Sequence, residues 1–322
     1  LGPPGGDPSF DLPVIDCFGG APANVACALS RLGVDVSFVG SLGNDEFGKS
    51  FKNLLIHRGI NITGLQKDNL RPTRVVLVRR NAYGERSFEG FEGDKGLGFA
   101  DQAISLEQMI NDWPLIIDNA KWLVAGTIPL ASEISSNGFL WCIENALEAG
   151  MKIALDLNWR PTFWRHKVSK ILAPSLKEKN EIISILKNVS LIKLAKEEAE
   201  WFFNTTNPLE ISSSLPQSPS VIVTDGSNPI SWLLNNHIGN SLAISPPSVV
   251  DTTGAGDAFT AGLIYKLLSV DLDQISKELA EEIIQFAIAC GAYVCTGVGA
   301  IEAQPYREDI DKLLSLSNGG IS

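Results

Sequence analysis

Long apolar runs are missing from this 322-residue chain, and so is any excess of positive charge. No stretch approaches the ~20 apolar residues that a membrane-spanning helix needs, so no membrane partner is expected and a cytoplasmic location is. Lys and Arg total 26 against 37 Asp and Glu, a net charge of −11. That sign is wrong for a surface that binds nucleic acid or anionic lipid. Cysteine is scarce: Cys17, Cys27, Cys142, Cys290 and Cys295 are odd in number and sit mostly in apolar runs such as NVACALSRL and FAIACGAYVC. No C-x-x-C or Cys/His cluster has zinc spacing, which leaves buried, reduced thiols as the reading. No GxGxxG follows a first strand in a βαβ unit either, and this excludes a dinucleotide-dependent oxidoreductase.

What is present, from residue 20 onward, is an alternation of short apolar runs with helical periodicity. That is the pattern of a mainly parallel sheet covered by helices on both faces. Pro22–Leu32 reads as a helix: Pro22 suits the first turn, Val25, Ala28, Leu29 and Leu32 share a face, and Gly33 stops it. Val36–Gly40 reads as a buried strand and Asp45–Arg58 as a helix closed by Gly59. Trp122–Ala125, Ile153–Leu157, Leu191–Lys193 and Val221–Thr224 read as central strands. Helices are expected over 132–149, 167–187 and 196–203, with two long ones at 255–269 and 276–295 finishing the chain. Thr73–Arg80 and Arg86–Phe91 break the rhythm. They flank the turn-like Asn81-Ala-Tyr-Gly84 and read as a hairpin, a small β lid that the extended Leu12–Phe18 joins. The domain division is then 19–72 plus 97–322 for the α/β body and 10–18 plus 73–96 for the lid.

The sharpest feature is Asp251-Thr-Thr-Gly-Ala-Gly-Asp257, followed by Ala-Phe-Thr-Ala-Gly. Gly254 and Gly256 let the backbone turn tightly and aim successive N–H groups outward. Ala258, Ala261, Leu263, Ile264 and Leu267 then begin a helix. Such a turn is an anion site, because unpaired amides and the positive end of the helix dipole converge there. Donors of this kind act best on a phosphoryl group in flight. Asp257 stands beside them, where it can take the proton of an attacking hydroxyl. Taken alone, the same four residues read as an ordinary acid in a first helical turn. The second feature is Phe18-Gly-Gly-Ala-Pro-Ala-Asn24. Gly19 and Gly20 admit a ligand close to the backbone, and Asn24 offers a donor and an acceptor suited to vicinal hydroxyls. By itself it reads as a Gly-Gly turn with Asn24 as a local cap.

Together, GGAPANVACALSRLG near the start and DTTGAGDAFTAGL near the end resemble the two signature motifs of the ribokinase-like (PfkB) carbohydrate kinases, in that family's order and at about its separation. The resemblance spans nearly the whole chain. It implies a three-layer α/β/α doubly wound fold with a β lid, a sugar and ATP as small-molecule partners, and Mg2+ as cofactor. It makes Asp257 the catalytic base, Gly254, Ala255 and Gly256 the anion hole, and Gly19, Gly20 and Asn24 the sugar contacts. Asp156-Leu-Asn-Trp-Arg160-Pro-Thr-Phe-Trp164 resembles the D-x-N-x-R stretch of fructokinases and 2-keto-3-deoxygluconate kinases. Arg160 is then a donor to sugar or phosphate, with a surface ion pair as its alternative. Lys193 and Glu198 match a K-x-N-x-x-E element that positions phosphate and, indirectly, magnesium, although Ala195 replaces its Asn. Thr224-Asp225-Gly226 matches a T-x-G beside the nucleotide phosphates, with Asn228-Pro229 where Lys-Gly is usual.

Ile288 falls in the adenine segment where many relatives have Asn, and Asp251 with the Thr253 backbone matches a monovalent-cation site, implying K+. The family's first strand, carrying an Asp that grips sugar hydroxyls, belongs ahead of Leu1, so a longer product is expected. The reaction most in keeping with GGAPANVA and DLNWRPTFW is fructose to fructose 6-phosphate. The alternatives are 2-keto-3-deoxygluconate kinase, another sugar kinase of this kind, and a non-catalytic kinase-like binding protein. Apolar residues on the lid strands lead to the expectation of a homodimer formed through the lid.

Overall fold

The computed structural model of the protein describes residues 16–80, 86–165 and 172–318. Four apolar runs lie side by side as parallel strands: Trp122–Gly126, Lys152–Asp156, Leu191–Ala195 and Ser220–Thr224. Ile153, Ala154, Leu155, Leu191, Ile192, Leu194, Val221 and Ile222 are all buried, which is why the last three of these runs are continuously apolar instead of alternating. Ile230–Leu234 and His237–Ser241 add two antiparallel strands at one edge and complete a six-stranded mixed sheet. Flanking helices complete the core: Phe139 and Ile143 come from Glu133–Glu148, Ile182 and Leu186 from Leu176–Leu186, and Ala199 and Phe202 from Lys196–Phe203. These elements belong to one compact unit, Ser105–Ile244 with Leu263–Ile288.

The second unit takes in the described residues up to Ile104, Ser245–Gly262 and the described residues from Ala289 onward. It holds the helices Ala21–Arg31 and Glu46–His57, the parallel pair Gly40–Gly43 and Leu65–Asp68, and the antiparallel hairpin Val75–Arg80 with Arg86–Glu92. Ala26, Cys27, Leu55, Ile60 and Ile301 form its core. The root of the hairpin is fastened by one carboxylate. Asp45 caps the Glu46–His57 helix by accepting the Gly48 N–H at 2.8 Å, and its other oxygen accepts the Thr73 N–H at 2.7 Å. Burial opposes the charge on Asp45, yet these amides and the Thr73 hydroxyl hold its carboxyl below the ordinary value. Next along the chain, Arg74 reaches Asp101 through two nitrogens and lies between the rings of Phe91 and Phe99. The helices Ala255–Leu267 and Lys277–Val294 contribute residues to both units. Among the described residues, no helix is long and apolar enough to cross a membrane.

Some expectations from the sequence are corrected. The apolar run Val36–Gly40 makes only an isolated bridge at Ser37, and the strand begins at Gly40. Its partner segment turns between Ile62 and Leu65, where Leu65 N–H bonds Ile62 O, so the ladder cannot run continuously. The helix expected over 167–187 starts at Leu176, because Pro174 disfavours helix before it and Ser175 caps the new start; residues 166–171 lie outside the described part. A further helix, Arg307–Asn318, follows the two long ones. The edge hairpin was missed although Asn235-Asn236, with Asn235 at φ 54°, is the kind of two-residue turn that closes one. Asp16–Phe18 is not in a strand, while residues 12–15 and 81–84 fall outside the described residues.

The Leu176–Leu186 helix is tied to the segment before it by Arg165, whose guanidinium holds Glu178 at 2.8 and 3.0 Å and lowers its pKa to about 2. Stability from this pair is fully present above the free carboxyl value of 4.5 and is lost as pH falls toward 2. Urea denaturation between pH 6 and pH 2 should therefore show a wild-type stability loss that Glu178→Gln lacks in that window. Parallel pH curves for the two proteins would refute the pairing.

Candidate active site

The site residues fall into two sets, one in each unit. In the first, the Asp251–Asp257 segment is a turn held from below. The Asp251 carboxylate, 2% exposed, accepts the Thr253 N–H at 3.0 Å and the Gly299 N–H at 3.1 Å. The amides of Val250 and Asp251 both point at Cys295 O. Gly254 then takes φ +80°, a region that disfavours side chains, and a Cβ there would sit 2.6 Å from the Ala300 Cβ. The helix starts at Ala255. The Ala255 N–H turns back on Thr252 O at 3.3 Å, whereas the N–H groups of Gly254 and Gly256 meet no protein acceptor among the described residues. Two donors at the positive end of a helix are thus left for an anion.

Asp257 is the third residue of that helix and is half-buried. Its Oδ2 accepts a hydrogen bond of 2.7 Å from Asn24 Nδ2, across a sequence separation of 233 residues. Asn24 does not cap its own helix. Gly20, at φ 114°, is the cap residue, no side chain caps this end, and Asn24 N–H bonds Gly20 O in the first turn. This placement aims the Asn24 amide at the carboxylate. Its Oδ1 is buried and has no hydrogen-bond partner among the described residues, and Gly19 lies beside it. A carboxylate, an unpaired buried acceptor and two vacant amides therefore share one unit.

In the unit that holds the six-stranded sheet, the polar residues gather toward the C-terminal ends of the parallel strands, where open α/β sheets hold ligands. Asp156 and Lys193 are register partners on neighbouring strands and form a buried ion pair of 2.7 Å. Glu198 reaches back from the Lys196–Phe203 helix, and both of its oxygens are engaged. Oε1 accepts the Trp159 N–H at 2.6 Å and Oε2 the Ala195 N–H at 2.7 Å. Burial first, and then the negative charge of Asp156, raises its pKa. Arg160 is exposed, caps the short Pro161–Trp164 helix and bonds Trp159 O. Thr224 ends its strand, Asp225 pairs with Lys196 at 3.1 Å, and Gly226 turns the chain at φ +57°. Ile288 is 5% exposed within Lys277–Val294.

The structure thus brings Asn24 to Asp257, and Lys193 to Asp156 near Glu198. The reading of the sequence quoted Asp156 only as part of a motif and assigned it no role. Its signal was an acid at the end of an apolar run, two residues before Asn158, which stands at φ 44°.

A family model described as pfkB family carbohydrate kinase matches residues 17–307. A fructokinase of Vibrio alginolyticus is 31% identical over 308 residues, which is 94% of this chain and 93% of the relative. Among solved structures, a fructokinase of Xylella fastidiosa with bound ATP superposes with a TM-score of 0.79 at 26% identity, covering 94% of this chain and 92% of the other. A fructokinase of Vibrio cholerae O395 in a fructose-, ADP- and calcium-bound form gives 0.77 at 28% identity, covering 97% and 94%.

Gly254→Ala combines an unfavourable φ with a collision against Ala300, so it should cost about 1–3 kcal/mol by chemical denaturation. Ala300→Gly in the same chain should recover the part due to the collision. An unchanged stability of the single variant would show that the turn is not built this way.

Proposed function

The chain belongs to the pfkB family of carbohydrate kinases, and on that footing we propose that it transfers the γ-phosphoryl group of ATP to fructose, giving fructose 6-phosphate and ADP. The observation that carries this reading is the Asn24–Asp257 hydrogen bond, with its unpaired Asn24 Oδ1. A sugar bound along Gly19, Gly20 and Asn24 offers one hydroxyl to that acceptor and another to Asp257. Asp257 takes the proton of the second hydroxyl as its oxygen attacks phosphorus in line and ADP leaves. The amides of Gly254 and Gly256 and the helix end behind them oppose the charge that builds on the phosphoryl oxygens. Ala255 contributes mainly by keeping this turn short, its own amide being directed at Thr252 O.

Lys193 and Thr224-Asp225-Gly226 meet the nucleotide phosphates in this reading, Ile288 gives the adenine an apolar wall, and Arg160 reaches sugar or phosphate. Among the described residues no three carboxylate, His or Cys side chains gather as metal ligands, and both Glu198 oxygens already hold amides. A divalent ion, Mg2+ in our proposal, therefore rests chiefly on the phosphates with Glu198 acting indirectly; when bound it draws off phosphate charge. Asp251, itself buried, and the Thr253 backbone present oxygen ligands, which suits K+. The hairpin Val75–Arg80 with Arg86–Glu92 is proposed as the lid, and as the surface through which two copies pair.

Fructose is preferred because the three relatives compared above are fructokinases. A sugar panel tests the choice, and faster turnover of 2-keto-3-deoxygluconate than of fructose would reverse it. Asp257→Asn should lower kcat by about 10²–10⁴-fold in an ADP-release assay. Equal rates in the two proteins would leave only a binding role.

A further inference from the structure

We propose that Arg31, helped by Arg58, is a positioning residue that braces the phosphate-binding turn from behind; the proposal rests on the kinase reading above. Arg31 ends the helix that carries Asn24. Its Nη1 donates to Glu302 O at 2.9 Å and also to Gln304 O, and its guanidinium lies 4.9 Å from the centre of the Tyr306 ring. Arg58 Nη2 donates to Ile301 O at 3.3 Å. Three backbone carbonyls of one loop thus converge on two guanidinium groups. Burial, and then the like charge of Arg58, lowers the pKa of Arg31. Crowding two cations there is unfavourable, so the carbonyls they hold must compensate.

The gripped loop touches the turn at two points. Gly299 N–H bonds the Asp251 carboxylate, and Ala300 fills the space that a side chain at Gly254 would need. Gln304 Nε2 also bonds Ala300 O, which ties the gripped end of the loop to the end that bears on the turn. One helix therefore holds the reaction centre twice, at Asp257 through Asn24 and at Gly254 through Arg31 and the loop. A turn that must present two amides to a transient charge gains most from such a brace, because small displacements of a preorganised donor cost rate more than affinity.

The test compares wild type with Arg31→Met and Arg31→Lys, each also combined with Asp251→Asn. Amide hydrogen exchange without substrate should rise about tenfold or more in peptides covering 251–257 and 296–304 of Arg31→Met, while the Leu191–Ala195 strand is unchanged. In turnover assays, kcat should fall about 10–100-fold with the sugar KM within about twofold. Arg31→Lys, which keeps the charge but not the fork, should lie between. Loss in the double variant should be no greater than in the worse single one. Unchanged exchange at 251–257, or kcat losses that simply multiply, would overturn the brace. Wild type without sugar-dependent turnover would sink the kinase reading instead, and the exchange data would still decide on Arg31. If Arg31→Met does not fold, Arg31→Lys carries the same comparisons.

Discussion

A single hydrogen bond, from the Asn24 amide to the Asp257 carboxylate, is the contact on which the arrangement turns. It joins the beginning of the described chain to a helix more than two hundred residues later. Its chemistry is specific. A neutral amide orients a carboxylate without adding a positive charge of its own, so what this bond supplies is aim. The Asp156–Lys193 pair makes the contrast, since there an ammonium at 2.7 Å balances the acid and the two side chains hold each other. Two carboxylates in one chain are thus given different duties by their neighbours.

Everything around Asp257 keeps that carboxylate and the adjacent amides in register. Gly254 makes the turn possible, Asp251 and Cys295 fix its entry, and Ala300 occupies its flank. In the other unit the parallel strands do comparable work. The register of adjacent strands places Asp156 opposite Lys193, and the following helix returns Glu198 to the Trp159 and Ala195 amides. Glu198, whatever its part in placing a metal, also links the Trp159 and Ala195 amides that follow and end two neighbouring strands.

Much of this was legible before any coordinates. Strands buried on both faces leave continuous apolar runs, and helix starts leave Pro, Ser and Asp, so Lys152–Asp156, Leu191–Ala195 and the Glu46–His57 helix are found close to where the pattern puts them. The Gly-rich turn before Ala255 was equally plain, because few other sequences reverse so tightly into a helix. What sequence could not state was which distant group each polar side chain would meet. Asn24 looked like a cap for its own helix, and only the fold shows it reaching Asp257. Val36–Gly40 failed for a related reason: apolarity reports burial, whereas the extent of a ladder depends on a partner that here turns away at Ile62.

The unmatched oxygen of Asn24 has a consequence for the protein's durability. A buried acceptor with nothing to accept from leaves the ligand-free fold locally frustrated, above the lowest energy its helix packing would otherwise allow. A leucine, which has a similar branched outline but no polar atom, would remove that conflict together with the hold on Asp257. Robustness alone would favour an apolar residue here, so an amide at this position accepts fragility in return for grip.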